Sequence, residues 1–247
     1  MIPKIVHYCW FGRNPLPKSA QKCITSWRKF LPDFEIKEWN EDNFDVNIIP
    51  YTQQAYEAKK YAFVSDYARY WILYKYGGLY FDTDVEIIKP LDDIINRGAF
   101  MGIEVPSEKG SLPQVAPGLG LAVEKGNFFY QNILDVYAHL SFITPDGKLN
   151  QTTIVKYNTQ LLKKFGMKPT NEIQKVADIW IYPCDFFNPL DDLTGKLKIT
   201  GNTRSIHWYS RTWTESSLLR TKISRMSHRI FGMSLHNLKV YFIRGRK

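Results

Sequence analysis

Asp82 and Asp84, separated by Thr83, and Asp66 and Arg69, three residues apart, are the side chains whose types and spacing suggest chemistry. Two like carboxylates converging on one cleft repel each other unless a cation or a proton sits between them. Mg²⁺ or Mn²⁺, held by few carboxylates and completed by phosphate oxygens and water, suits such a pair. An Asp-X-Asp triplet is a weak signal alone, so its placement must carry the reading. It follows the twin glycines Gly77 and Gly78 and the aromatic run Leu79-Tyr80-Phe81. That run reads as a short buried strand ending where α/β folds bind ligands. Residues two apart on a strand face the same way, so both carboxyls are expected on one side; the alternative is a pair of surface turn acids. Asp66 and Arg69 share one face of the preceding helix. They form an internal ion pair, which their spacing slightly favours, or a unit in which Arg69 offsets developing negative charge and orients Asp66 toward a substrate hydroxyl. His207 lies near Trp208, Ser210 and Trp213 in a basic, polar segment. An imidazole there is a ligand to the same cation after a chain reversal, or a packing and hydrogen-bonding residue. Trp10, at the end of the first strand, stacks on a nucleobase or belongs to the core.

These side chains need elements to position them. Residues 5–10 read as a buried strand, ended by the Gly-, Asn- and Pro-rich stretch 11–17. Ala20, Cys23, Ile24, Trp27 and Phe30 recur at helical spacing, and residues 34–39 give a second strand. A helix starting at Thr52 or Gln53 precedes the long apolar helix 62–76, which Gly77 or Gly78 can terminate in a left-handed conformation. Further strands are expected at 100–105, 120–123, 179–182 and 206–208, with helices over 127–140 and 152–165. The Gly- and Pro-rich stretch 106–118 reads as a loop, a candidate acceptor lid. Alternating strands and helices indicate an α/β fold with a central, mainly parallel sheet flanked by helices.

The chain of 247 residues is 44% apolar and 15% aromatic, enough for one large core. No apolar run reaches the roughly 18 residues of a spanning helix, and residues 1–6 lack the features of a secretory signal, so a cytoplasmic location is expected. Cys9, Cys23 and Cys184 are an odd, scattered set, better suited to reduced thiols than to disulfides or zinc. The formal charge of +9 is concentrated: residues 204–247 hold ten Lys or Arg and a single acid, Glu215. The imbalance favours a local anionic partner over a generally nucleic-acid-binding surface.

The segments Pro3 to Gly12, Ser26-Trp27, Pro32 to Ile36, Trp39-Asn40, Ser65 to Arg69 and Tyr76 to Asp84 together resemble the family 32 glycosyltransferases, relatives of capsular polysaccharide transferases, initiating mannosyltransferases and glucosylating clostridial toxins. The likeness is detailed over 1–95, faint from about 100 to 200, and resumes weakly at His207-Trp208 and Ser210 to Trp213. The resemblance implies a GT-A type fold, a nucleotide-sugar donor, Mn²⁺ or Mg²⁺, and transfer of a hexose with retention. Carried over, it implies that Tyr8 and Trp10 contact the donor, Trp10 stacking on the base. Asp66 and Arg69 would hold the sugar, Tyr80 and Asp82 would lie near the ribose and sugar, and Asp84 would bind the metal with Asp82. His207 stands at a late metal ligand, with Ser210 and Trp213 near the diphosphate. Here the sequence departs from the family, because Arg211 and Thr212 separate Ser210 from Trp213. Asp66, Arg69 and Asp82 are the catalytic candidates. UDP-Gal, UDP-Glc and GDP-Man all fit as donors, and a surface-polysaccharide or lipid-linked glycan fits as acceptor.

The expected organisation is a transferase domain over 1–213 and a basic amphipathic tail over 214–247, where Leu219, Ile223, Met226, Ile230 and Met233 recur beside Lys222, Arg225 and Arg229. Such a helix docks on an anionic membrane surface or packs on the domain. Two rival functions stand beside the transferase. One is a metal-dependent phosphotransferase with Asp82 as nucleophile and Asp191-Asp192 completing a metal site; Glu86 and the internal position of the strand speak against it. The other is a non-enzymatic nucleic-acid-binding protein, which no sequence module supports.

Overall fold

The computed structural model describes residues 1–210 together with Met226. Trp213 and the amphipathic pattern of the tail, Met226 apart, lie outside the described residues.

In chain order the elements are β1 (Ile5–Cys9), α1 (Lys18–Phe30), β2 (Glu35–Trp39), α2 (Pro50–Glu57), α3 (Tyr61–Tyr76), β3 (Gly78–Tyr80), β4 (Val85–Ile87) and α4 (Asp92–Ile95). They continue with β5 (Phe100–Val105), β6 (Gln114–Val123), α5 (Phe128–Ala138), α6 (Ile154–Lys164), β7 (Gln174–Val176), β8 (Ile179–Tyr182), α7 (Cys184–Phe187) and β9 (Ser205–His207). Seven strands form one sheet in the order β2-β1-β3-β6-β5-β8-β7, and β4 pairs with β9 in a small second sheet. The expected α/β class, a central sheet flanked by helices, is the observed one. Its β1–β2, β1–β3 and β5–β8 pairings are parallel, whereas β6 runs antiparallel to both neighbours and β7 antiparallel to β8.

Alternation along the strands separates two apolar layers. Leu79 and Phe81 join Val6, Ile24 and Trp27 on the α1 side, while Tyr80 joins Tyr67, Tyr70 and Leu73 of α3 on the other. The twin glycines do what their position suggests. Gly77 ends α3 at φ +68°, donating its N–H to the Leu73 carbonyl at 2.8 Å, a conformation that favours glycine. At Gly78 a Cβ would stand 2.6 Å from the Ile5 carbonyl oxygen, so close pairing of β3 with β1 requires its absence.

Two expectations change. Stretch 106–118 is not wholly a loop: β6 begins at Gln114 and is ten residues long, buried from Val115 onward, so the short strand expected at 120–123 is its C-terminal end. The carboxylate triplet is not on a strand, because β3 stops at Tyr80 and Asp82 to Asp84 form the turn into β4. Among the described residues no helix is long and apolar enough to cross a membrane, and Cys9, Cys23 and Cys184 are free thiols.

Candidate active site

A cavity of about 690 Å³ opens along one edge of the large sheet. Trp10 beyond β1, Asp82 and Asp84 beyond β3, Ala116 and Gly118 of β6, and Glu104 near the end of β5 line it, with Asp66 and Arg69 from α3, His207 at the end of β9 and Tyr209 just beyond it. Antiparallel β6 brings its N-terminal half to the edge at which β1, β3 and β5 end.

Turn geometry splits the two acids between two networks instead of aligning them as a strand would. On one side, Arg69 donates to Asp66 at 2.9 Å and stands 3.3 Å from Asp82 Oδ1, while its Nε donates to the Ser65 carbonyl at 3.1 Å. The Tyr80 hydroxyl donates to Asp82 at 3.1 Å, and the guanidinium lies 4.9 Å from the Tyr80 ring centre. Burial pushes the Asp66 carboxyl up to about 6, against the opposing pull of Arg69 and a hydrogen bond from the Ile154 N–H. The ion pair favoured from spacing exists, and Arg69 extends it to Asp82. Gly118 completes this wall: a Cβ there would collide with the Asp82 carboxylate and come 3.4 Å from Arg69.

On the other side, Asp84 accepts from the Ser210 N–H at 2.8 Å and hydroxyl at 3.0 Å, and His207 Nε2 lies 3.2 Å away. Burial opposes ionisation of Asp84, but His207 and Ser210 override it and hold the carboxyl well below its usual range. Burial likewise opposes charge on His207, but Asp84 outweighs it and lifts the imidazole to about 9. These residues are far apart in the chain and meet because β4 and β9 pair, Val85 opposite His207, with the Trp208 N–H donating to the Asp84 carbonyl at 3.0 Å. Helix α1 holds β4 in turn: Trp27 Nε1 donates to the Val85 carbonyl at 2.7 Å, and the Ser26 hydroxyl accepts from the Ile87 N–H at 2.9 Å.

The residues present fit a divalent cation. Asp84 Oδ1 and His207 Nε2 face each other at 3.2 Å, an oxygen and nitrogen donor pair of the kind such a cation takes. Among the described residues no group of three or more His, Cys, Asp or Glu is gathered for a metal. Phosphates and water would complete the shell.

Tyr8 sits elsewhere: its ring packs edge-on against Trp27 and its hydroxyl donates to Glu38 at 2.6 Å, away from the cavity lining. Of Asp191-Asp192, read as completing a metal site in the phosphotransferase alternative, Asp191 accepts the Leu193 and Thr194 N–H groups of its own turn, each at 2.9 Å, and Asp192 lines the cavity. Sequence reasoning passed over Glu104, Gly118 and Tyr209, all of which line the cavity. Its one available signal for Gly118 was glycine in the 106–118 stretch.

Residues 17–101 match the family described as "Glycosyltransferase sugar-binding region containing DXD motif". The chain is similar to inositol phosphoceramide mannosyltransferase 3 of Schizosaccharomyces pombe, 33% identical over 110 residues that cover 43% of this chain and 31% of that protein. It is also similar to an uncharacterised glycosyltransferase of Acanthamoeba polyphaga mimivirus, 26% identical over 195 residues and 76% of each chain. It therefore spans about a third of the length of the first curated relative and about three quarters of the second. Among solved structures, the PaToxG glycosyltransferase superposes with a TM-score of 0.49 at 20% identity, covering 66% of this chain and 69% of that one. The matched region carries α1, α3, β3 and the triplet itself, so the likeness to this glycosyltransferase family lies in the part of the chain that builds one wall of the cavity.

Proposed function

We propose that this chain is a metal-dependent, retaining hexosyltransferase that moves a sugar from a nucleotide donor to a surface-polysaccharide or lipid-linked glycan. The observation that carries the reading is the meeting, in one cavity, of the Asp66–Arg69–Asp82 network with the Asp84–His207 pair, the second of which joins residues far apart in the chain.

Each wall has a role in this reading. Trp10, Phe11, Tyr61 and Phe63 give the mouth flat apolar faces for a base. Arg69, fixed by Ser65, Asp66 and Asp82, is a preorganised cation that answers charge as it develops on the departing diphosphate, with little reorganisation at the moment of reaction. Asp66 and Asp82, held by Arg69, offer carboxylate oxygens to donor hydroxyls. Asp84 and His207 would hold Mn²⁺ or Mg²⁺; when bound, the metal neutralises the diphosphate. Asp82 is already engaged by Arg69 and Tyr80, which disfavours its use as the nucleophile of a phosphotransferase. UDP-Gal and UDP-Glc lead the donor candidates, and the name of the Schizosaccharomyces pombe relative keeps GDP-Man and a lipid-linked acceptor among them. Docking of the basic 214–247 stretch on the inner face of an anionic membrane belongs to the same proposal.

The test is hydrolysis of UDP-Gal, UDP-Glc and GDP-Man with Mn²⁺ and again with EDTA. Turnover of one donor that EDTA abolishes supports the reading, and absence of metal-assisted binding of any UDP or GDP compound sinks it. For the tail, anionic liposomes at low salt should retain the full chain and release one ending at Thr214.

A further inference from the structure

Glu104 is a carboxyl residue of the cavity that takes no part in the networks above. In β5, Ile103 pairs with Val115 and Val105 with Gln114, so Glu104 is the extra residue of a bulge and has no partner in β6. A bulge of this kind re-aims a side chain and is common beside active sites. Here it delivers a half-buried carboxyl into the cavity.

The surroundings are built to hold it there. Asn188 Nδ2 donates to the Glu104 carbonyl at 3.1 Å and to the Tyr209 hydroxyl at 2.7 Å, so one amide ties Tyr209 to the Glu104 backbone, and both residues line the cavity. Tyr209 adopts a left-handed φ of 51°, and its ring lies tilted with its centre 4.2 Å from that of the His207 ring. A non-glycine residue in that region carries strain of about 1 kcal/mol or more, which tends to be kept at functional sites. Asp82 is answered by Arg69 and Asp84 by His207, whereas the Glu104 carboxyl pairs with no cation among the described residues and has the neutral Tyr209 phenol beside it. Its carboxyl capacity is open to a substrate hydroxyl.

Position says which one. The strands whose ends line the cavity run β1, β3, β6, β5. In the reading proposed above, on which this inference rests, the donor occupies the stretch from Trp10 beyond β1 to Asp82 beyond β3. Glu104 lies two strands further on, roughly 10 Å at normal strand spacing, on the side left for the acceptor.

We propose that Glu104 is the group that receives the attacking hydroxyl of the acceptor. Its carboxylate accepts the hydroxyl hydrogen bond and takes the proton as the new oxygen–carbon bond forms. The bond between the anomeric carbon and the diphosphate oxygen breaks, its electron pair leaves with the diphosphate, and Glu104 returns the proton to solvent. Water occupies the same place in donor hydrolysis.

The experiment uses the full chain with Mn²⁺, the donor that the wild type hydrolyses, and UDP or GDP as the binding probe. Glu104→Gln should leave nucleotide affinity and donor KM within about twofold and lower hydrolytic kcat by about 100-fold, within the range of general base catalysis. Glu104→Ala should be similarly slow, and added formate should restore part of its turnover, which a merely structural defect would not allow. Wild-type turnover in Glu104→Gln overturns the assignment, as do parallel losses of nucleotide binding and turnover, no formate rescue in a folded Glu104→Ala, or a covalent glycosyl adduct on Glu104 by mass spectrometry. If the wild type binds no nucleotide with Mn²⁺, the underlying transferase reading falls, and this inference with it.

Discussion

Arg69 touches more of the site than any side chain around it. It is fully buried among Ser65, Asp66, Tyr80 and Asp82, so its removal strands two carboxylates at once. Arg69→Ala should lower kcat for donor hydrolysis by at least about 100-fold, the loss seen when one preorganised charge-stabilising donor is deleted. It should also cost about 3 kcal/mol in urea unfolding, because breaking a buried pair leaves an uncompensated charge. Lysine should not rescue it, since one ammonium cannot reproduce a fork that donates to Ser65 and Asp66 while facing Asp82. Gly118 predicts a different signature. A methyl group there forces the Asp82 carboxylate aside, so Gly118→Ala should reduce turnover at least tenfold while thermal unfolding moves by only a few degrees. An unchanged rate would show that Asp82 can rotate without consequence.

The Asp84–His207 pair depends on elements, β4 and α1, that lie outside the cavity lining. Asp84 leads into β4, His207 belongs to β9, and α1 clamps β4 through Ser26 and Trp27. Replacing Trp27 by Phe keeps an aromatic ring in the core and deletes the N–H donated to the Val85 carbonyl. The orphaned carbonyl should cost about 1–2 kcal/mol of stability and loosen the β4–β9 ladder. Titration with Mn²⁺ and UDP should then show weaker coupled binding in Trp27→Phe, with donor-side Arg69 chemistry spared. Equal metal affinity in both proteins would mean that α1 is only a packing helix.

One buried imidazole ties the molecule's stability to pH. His7 of β1 accepts from Trp39 Nε1 at 3.0 Å, and its Nε2 lies 3.0 Å from the Gly77 carbonyl, so β2, β1 and the end of α3 share one neutral ring. Burial lowers its pKa to about 4, with the Gly77 hydrogen bond opposing and Lys37 adding to the shift. Below pH 6.5 the unfolded chain therefore takes up a proton that the folded chain refuses, and stability falls as pH drops toward 4. From pH 7 to 5 this group alone should cost about 2 kcal/mol. Asp66, raised to about 6 by burial, contributes with the opposite sign, because its penalty is relieved as it protonates. The measurement is therefore a difference: urea unfolding at pH 7 and 5 for the wild type and for His7→Gln, the variant losing less stability on acidification. Identical pH slopes would remove His7 from the account.

Much of this was readable from residue order. The β-α-β opening, the long helix ended by twin glycines, and the Asp66–Arg69 pair are set by periodicity and glycine conformation within a dozen or so residues, and local physics transfers from sequence to structure. The acids' surroundings were not readable that way. A strand reading put Asp82 and Asp84 on one face, whereas chain reversal after Tyr80 gave each its own network. Trp208 bonds Glu86 across 122 positions and Ser210 bonds Asp84 across 126. No pattern along the chain encodes such contacts, because they follow from which strands find each other once two apolar layers close over the sheet. The bulge that turns Glu104 inward is of the same kind, a mismatch between neighbouring strands that exists only after they pair.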